Sequence, residues 1–283
     1  TKVEAFRRVA EEAGYERIPM DVVCRTRPPE EVLPGAWLIQ ELVRRLAVQI
    51  RQTSVDAGQV FQNGQFGEAY VLVGALARQI HAATYVGELP LEPPFAAHVF
   101  RTKGSWCVVA WTSDRPEHVP LTIGQAANLE LADAQNNPLP SPSLNEAGQV
   151  VILLEQGPCY LTGTGGDVLG LAASRMAQEE AHDFVNHPPF REKLPQELVQ
   201  LIQDIAESEK VHVGRAHFFT LVRAFPYLER QWHLGAIEQS VAVPAMASIA
   251  RLLGHLIVLE EERGEPFVDP LRDTLDRCSQ YQS

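Results

Sequence analysis

The feature that most constrains this chain is a change of hydrophobic period part-way along it. Before about residue 86 and after about residue 166, apolar residues recur every three or four positions, the spacing of amphipathic helices. Between those points they form short runs rich in Val, Ile, Leu and aromatics: AAHVFRT, SWCVVAWTS, VPLTI, NLELAD, QVVILLEQ and PCYLTG. Turn-forming stretches separate the runs, among them TKGS, SDRPE and QNNPLPSPSLNEAGQ. Short strands at regular spacing with turn signals between them predict an antiparallel sandwich. In SWCVVAW, alternation puts Trp106, Val108 and Ala110 on one face and Cys107, Val109 and Trp111 on the other. Both sets are apolar, so this strand is expected to be central and covered on both sides.

The flanks complete the organisation. An opening helix is expected over residues 1–14, stopped by Gly14. IPMDVVCR follows as a short strand, and AWLIQELVRRLAVQIRQ as a helix with Leu38, Leu42, Leu46 and Ile50 at steps of four. TSVDAGQVFQNGQFG reads as a polar loop leading into the helix EAYVLVGALARQIHA. After residue 166 come five helical stretches. Pro195 is suited to a first helical turn, and Pro226 is expected to kink or split the third. The fold class expected is therefore α+β multidomain: a partial α/β segment over 1–85, an antiparallel β-sandwich over 86–166, and a C-terminal helical bundle over 167–283. Gly163, Gly165 and Gly166 lack the Lys-Ser/Thr pair of a phosphate loop, and read as an inter-domain hinge.

Charge narrows the partners. With 36 acidic against 24 basic residues the net charge is −12, which argues against a broad nucleic-acid interface. No uninterrupted apolar run reaches the ~20 residues of a membrane span. The chain opens at Thr1 rather than Met, so the lack of a leader fixes no compartment. None of the four cysteines lies in a CxxC pair. Cys107 and Cys159 fall in apolar strands, either as buried thiols or as a cross-strand disulfide. Glu179 and His182 have the Glu-x-x-His spacing of di-iron bundles, but a second such motif is missing. No metal and no cofactor is implied.

Four segments in order, GEAYVLVGALARQIHAATYVGELPL, AHVFRTKGSWCVVAWTS, NLELADAQNNPLP and VVILLEQGPCYLTG, carry a resemblance over roughly residues 1–165. They resemble the C-terminal part of bacterial (β/α)₈-barrel glycoside hydrolases, in which the last barrel helix runs into a small β-sandwich. The resemblance implies that residues 1–85 are the last quarter of a barrel. It also implies that IPMDVVCR matches the strand ending in the nucleophilic carboxylate, where this chain has Val23–Cys24. Glycoside hydrolysis typically needs two carboxylates about 5–10 Å apart across the sugar bond. Neither stands at its expected place here, so no catalytic residue is assigned.

Two readings follow. The chain is the non-catalytic C-terminal portion of a glycoside hydrolase-like protein, serving carbohydrate binding or assembly. Or it belongs to an active retaining glycosidase whose carboxylates lie on an upstream segment. A structural scaffold using the helical bundle for oligomer contacts is the third reading. Expected partners are a polysaccharide or glycan, an upstream barrel segment, or a second copy; the resemblance implies an extracellular or periplasmic home. If a sugar binds, the candidates are Trp106 and Trp111 for stacking, with Asp114 and Arg115 as hydrogen-bonding groups; the alternative for both indoles is core packing.

Overall fold

The structure, a computed structural model, describes residues 21–24, 34–47, 52–55, 61–62, 65–208, 211 and 214–264. The helices expected over residues 1–14 and after residue 268 lie outside the described residues. Contacts divide the chain into two compact units, Pro19–Ala172, and Ala173–Ser283 with Thr1–Ile18. Its class is mixed α+β, with seven helices among the described residues and antiparallel main sheets.

The first unit opens with β1 (Asp21–Cys24), α1 (Pro34–Ala47) and β2 (Gln52–Val55). β1 and β2 pair in parallel, Val22 opposite Thr53 and Cys24 opposite Val55, so α1 is the crossover of a β-α-β unit. The stretch read as a polar loop thus contains all of β2 but its first residue, Gln52, which was read as the end of the preceding helix. It also contains a tight hairpin, β3 (Phe61–Gln62) with β4 (Gln65–Phe66). These strands are only four and two residues long and mostly polar, so no apolar alternation announces them. α2 (Glu68–Gln79) follows and packs on α1.

Nine antiparallel strands form two sheets. They are β5 (Thr84–Glu88), β6 (Phe95–Thr102), β7 (Ser105–Thr112), β8 (Glu117–Leu121), β9 (Ala126–Ala132), β10 (Pro138–Leu139), β11 (Ser143–Leu144), β12 (Val150–Leu154) and β13 (Cys159–Gly165). The six-stranded sheet runs β10-β9-β13-β7-β6-β5, and the three-stranded sheet runs β11-β12-β8. β7 is interior to the larger sheet, and seven of its eight residues are buried, the arrangement expected from its two apolar faces. Register places Ala96, His98 and Phe100 of β6 beside Trp111, Val109 and Cys107 on one face. That face carries α1 and α2: Ile39, Val43, Leu72 and Leu76 share one core with Phe100, Cys107, Val109, Trp111 and Tyr160. The two sides of residue 85 therefore share a core. In the smaller sheet, Val119, Leu121, Val150, Ile152 and Leu154 are buried, and β12 runs beside β7.

Cys159 lies opposite Ala110 and Cys107 opposite Thr162, so the two cysteines belong to opposite faces of the sheet. Both thiols are free and buried. Side chains on opposite faces cannot reach disulfide geometry, which answers the alternative left open above.

The glycine-rich segment differs from the expected hinge. Gly163 lies inside β13, opposite Trp106, and a Cβ there would come within 2.6 Å of the indole. Gly166 has φ +74°, and a Cβ on it would meet the Ile123 carbonyl oxygen at 2.2 Å. Asp167 N–H donates to that same carbonyl at 3.0 Å. These glycines serve close packing and a left-handed turn rather than freedom of motion.

The second unit is built from α3 (Val168–Val185, whose first turns belong to the first unit), α4 (Pro188–Lys193), α5 (Gln196–Glu207), α6 (Arg215–His233) and α7 (Gln239–Glu262). α7 is the most apolar helix, and by length and composition alone it could cross a membrane. Here it is a core helix: Ile249, Leu252, Leu253 and Leu256 are all at most 1% exposed. α6 and α4 pack on α7, and α5 packs on α6. α6 runs on through Pro226, which is exposed, so of the kink or split expected there the helix is not split. A partly exposed polar cluster ties α3 to α7. Arg251 donates to Glu180 through Nε at 2.8 Å and Nη2 at 3.1 Å, and the Ser248 hydroxyl donates at 2.5 Å. Beside it, burial pushes the His255 imidazole below its ordinary range, against the opposing pull of Glu180.

Candidate functional site

β7 positions both tryptophans proposed for sugar stacking, and it buries both. Trp106 is 2% exposed and Trp111 1% exposed. The Trp106 indole N–H donates to the Gly165 carbonyl at 2.7 Å, while its six-membered ring covers Gly163. Trp111, on the other face, stacks on His98 with centroids 4.9 Å apart and planes 23° apart. The Arg44 guanidinium from α1 sits 5.5 Å from the Trp111 ring centroid. Stacking on a sugar requires an indole face open to solvent, and these faces are occupied by the protein's own groups. Both indoles are core.

Asp114 and Arg115 take the opposite position. They lie exposed in the turn between β7 and β8, where Asp114 N–H donates to Thr112 Oγ1 at 3.1 Å. The turn is fastened below by Thr112 N–H to Glu155 O and Ser113 N–H to Pro94 O, at 2.9 and 3.0 Å. The four candidate residues therefore do not form one surface: two are interior and two are on a solvated turn.

A polar group missed in the sequence lies under Trp111. His98, 3% exposed on β6, has Nδ1 at 3.3 Å from Glu88 Oε1 and 3.4 Å from the Tyr85 hydroxyl. Arg44, Trp111, His98, Glu88 and Tyr85 thus form a continuous stack from α1 to β5. The signal was available: in AAHVFRT, alternation against β7 puts His98 on the Trp111 face. Such a stack satisfies a buried imidazole and fixes α1 on the sheet.

The ADAQNNPL segment also has a structural use. Asp133 Oδ1 accepts from the N–H groups of Gln135 and Asn137 at 2.9 and 2.8 Å, closing the turn between β9 and β10. Gln79, at the end of α2, donates to Asn136 in that turn. Burial pushes the Cys107 and Cys159 thiols up to about 12, so neither supplies a thiolate near neutral pH. Glu179 is held by Arg175 at 2.8 Å and His182 is exposed, so the Glu-x-x-His pair converges on no third ligand among the described residues. In the second unit, a polar cleft of about 360 Å³ is lined by Asn186, Arg191, Glu192, Gln196 and Gln203, with Pro188 and Val199 as its apolar part. It coincides with no residue singled out from the sequence.

No family model and no curated protein matches the chain. Among solved structures it is similar to a family 39 glycoside hydrolase from the gut symbiont Bacteroides cellulosilyticus WH2, at 16% identity and TM-score 0.45, over 56% of this chain and 37% of that one. It is also similar to a glycoside hydrolase family 30 subfamily 8 xylanase from Clostridium acetobutylicum, at 10% identity and TM-score 0.42, over 52% and 42%. A family 30 endoxylanase from Clostridium papyrosolvens C71 matches at 8% identity and TM-score 0.43, over 56% and 45%. The chain spans less than half the length of each of these structures.

Proposed function

We propose that this chain is the non-catalytic C-terminal portion of a glycoside hydrolase-like protein, and that its role is assembly rather than bond cleavage. One observation carries the reading: β1 and β2 pair in parallel across the crossover helix α1, and α2 then docks on an antiparallel sheet. Among the described residues β1 and β2 each have a single neighbour. Parallel strands are stable inside larger sheets covered on both faces, and an open strand edge presents unpaired N–H and C=O groups. A two-stranded parallel pair therefore calls for further strands, as the end of a (β/α) barrel would. In this reading, two antiparallel sheets form the sandwich that braces the barrel end, and the helices after residue 166 form the bundle.

The same geometry bears on chemistry. β1 ends at Cys24, level with Val55 at the end of β2. Active sites of barrel enzymes gather at the C-terminal ends of their strands. A thiol there cannot replace one member of the carboxylate pair that protonates the leaving oxygen and attacks or activates water. Burial of Trp106 and Trp111 favours assembly over sugar binding as the non-catalytic role.

The test is an assay of the purified chain against soluble and insoluble polysaccharides, reading new reducing ends and retention on affinity gels. The reading expects neither. Hydrolysis that disappears when one carboxylate is neutralised would contradict it, and retention alone would restore the sugar-binding role.

A further inference from the structure

The helical unit carries two outward faces of opposite character on helices that touch. α6 buries Phe218, Leu221, Ala224, Phe225 and Leu228 on one arc. Its other arc bears Arg215, Arg223 and Arg230, spaced eight and seven residues apart, all exposed. Between them Phe219, Tyr227 and Leu234, the residue after the helix, are 40%, 44% and 68% exposed. No carboxylate is among the exposed residues of α6; Glu229 is half-buried. The Arg215 guanidinium rests over Phe219, 5.5 Å from its centroid, and none of the three arginines is in an ion pair among the described residues.

α5 is the converse. It has no Lys or Arg, and Glu197, Asp204 and Glu207 are all exposed on the arc away from its buried Leu198, Ile202 and Ile205. Asp204 and Glu207 accept from the amides of Gln200 and Gln203, at 2.9 and 2.7 Å, and among the described residues no cation pairs with the stripe. In a chain of net charge −12, a face with three free cations, three exposed apolar groups and no acid is a local reversal of sign.

We infer that this surface pairs two copies of the chain, α6 of each copy lying on α5 of the other. Because α5 and α6 pack side by side, a two-fold axis between them sets basic against acidic twice, with the same patch on both partners. Phe219, Tyr227 and Leu234 supply the apolar contact that arginine-carboxylate pairs alone do not give, since exposed ion pairs are individually worth little. The pairing lies wholly in the helical unit and needs no further strands beside β1 and β2. Its failure therefore leaves the assembly reading of the first unit standing, and the reverse is also true.

Sedimentation velocity on the whole chain tests it. At tens of micromolar the native chain should be a dimer in about 20 mM salt and shift toward monomer near 1 M, where the screening length falls to about 3 Å. Two triple variants reverse one side each: Arg215→Glu with Arg223→Glu and Arg230→Glu, and Glu197→Lys with Asp204→Lys and Glu207→Lys. Each alone should be monomeric at low salt with its helical circular dichroism intact. Mixed in equal amounts they should re-form a dimer, because in the mixed pair each reversed face meets its opposite and both native faces still match. If one variant fails to fold, monomerisation of the other still reads one side. A native chain that is monomeric at low salt, a dimer that survives either reversal, or folded variants that stay apart when mixed would each overturn the pairing.

Discussion

The six-stranded sheet and the β1–β2 pair lie in the same unit and differ in closure. β7 has a partner on each edge, β6 and β13, and covered residues on both faces. β1 and β2 have one partner each among the described residues, and their runs DVVC and QTSV are four residues long. On the proposed reading, the difference separates a sheet that pairs its own backbone from a strand pair that awaits further strands. Strand content alone would treat the two alike; hydrogen-bond closure does not.

The comparison breaks most readily at the tryptophans. If β7 is the closed centre, Trp106→Ala and Trp111→Ala should each cost about 3–5 kcal/mol in denaturant titrations, as large-to-small core changes do. A loss near zero for either would return that indole to the surface and revive sugar stacking. Gly163→Ala tests the same packing from the partner strand. With a Cβ forced to 2.6 Å from Trp106 and 2.9 Å from Leu129, the expected cost is about 1–3 kcal/mol. An unchanged midpoint would mean that Trp106 does not lie on β13 as described.

The thiols sharpen the comparison with little effect on stability. Burial raises Cys107 and Cys159 to about 12, so at pH 8 to 9 both remain protonated as well as covered. Only as pH rises toward that value does the thiolate, the reactive form, accumulate. Peptide mapping after iodoacetamide treatment should find both unmodified in the native chain at pH 8.5, and both modified in denaturant. Native labelling of either would show that its face of the sheet is open.

Much of this was legible in the residues. Apolar character on both faces of SWCVVAW marked β7 as central, and helical spacing marked α1, α2, α3, α5, α6 and α7, while the six-residue α4 was read only as a boundary. Three things were hidden, each for a physical reason. β2 was missed because a four-residue strand of Gln, Thr, Ser and Val shows no alternation to detect. The glycines of β13 read as a hinge because their use depends on Trp106, 57 residues earlier than Gly163, coming to rest on them. The tryptophans read as sugar-binding candidates because alternation assigns a side chain to a face but does not say what covers that face. Here α1 and α2 cover Trp111, and β13 closes over Trp106.

Native-state hydrogen exchange, resolved by residue, tests the central claim most directly. The account predicts that amides of Cys107 to Ala110 in β7 exchange only through global unfolding, while those of β1 and β2 exchange orders of magnitude faster through local opening. Equal protection in the two regions would mean that the parallel pair is already closed within this chain, and would contradict the proposal that it awaits further strands.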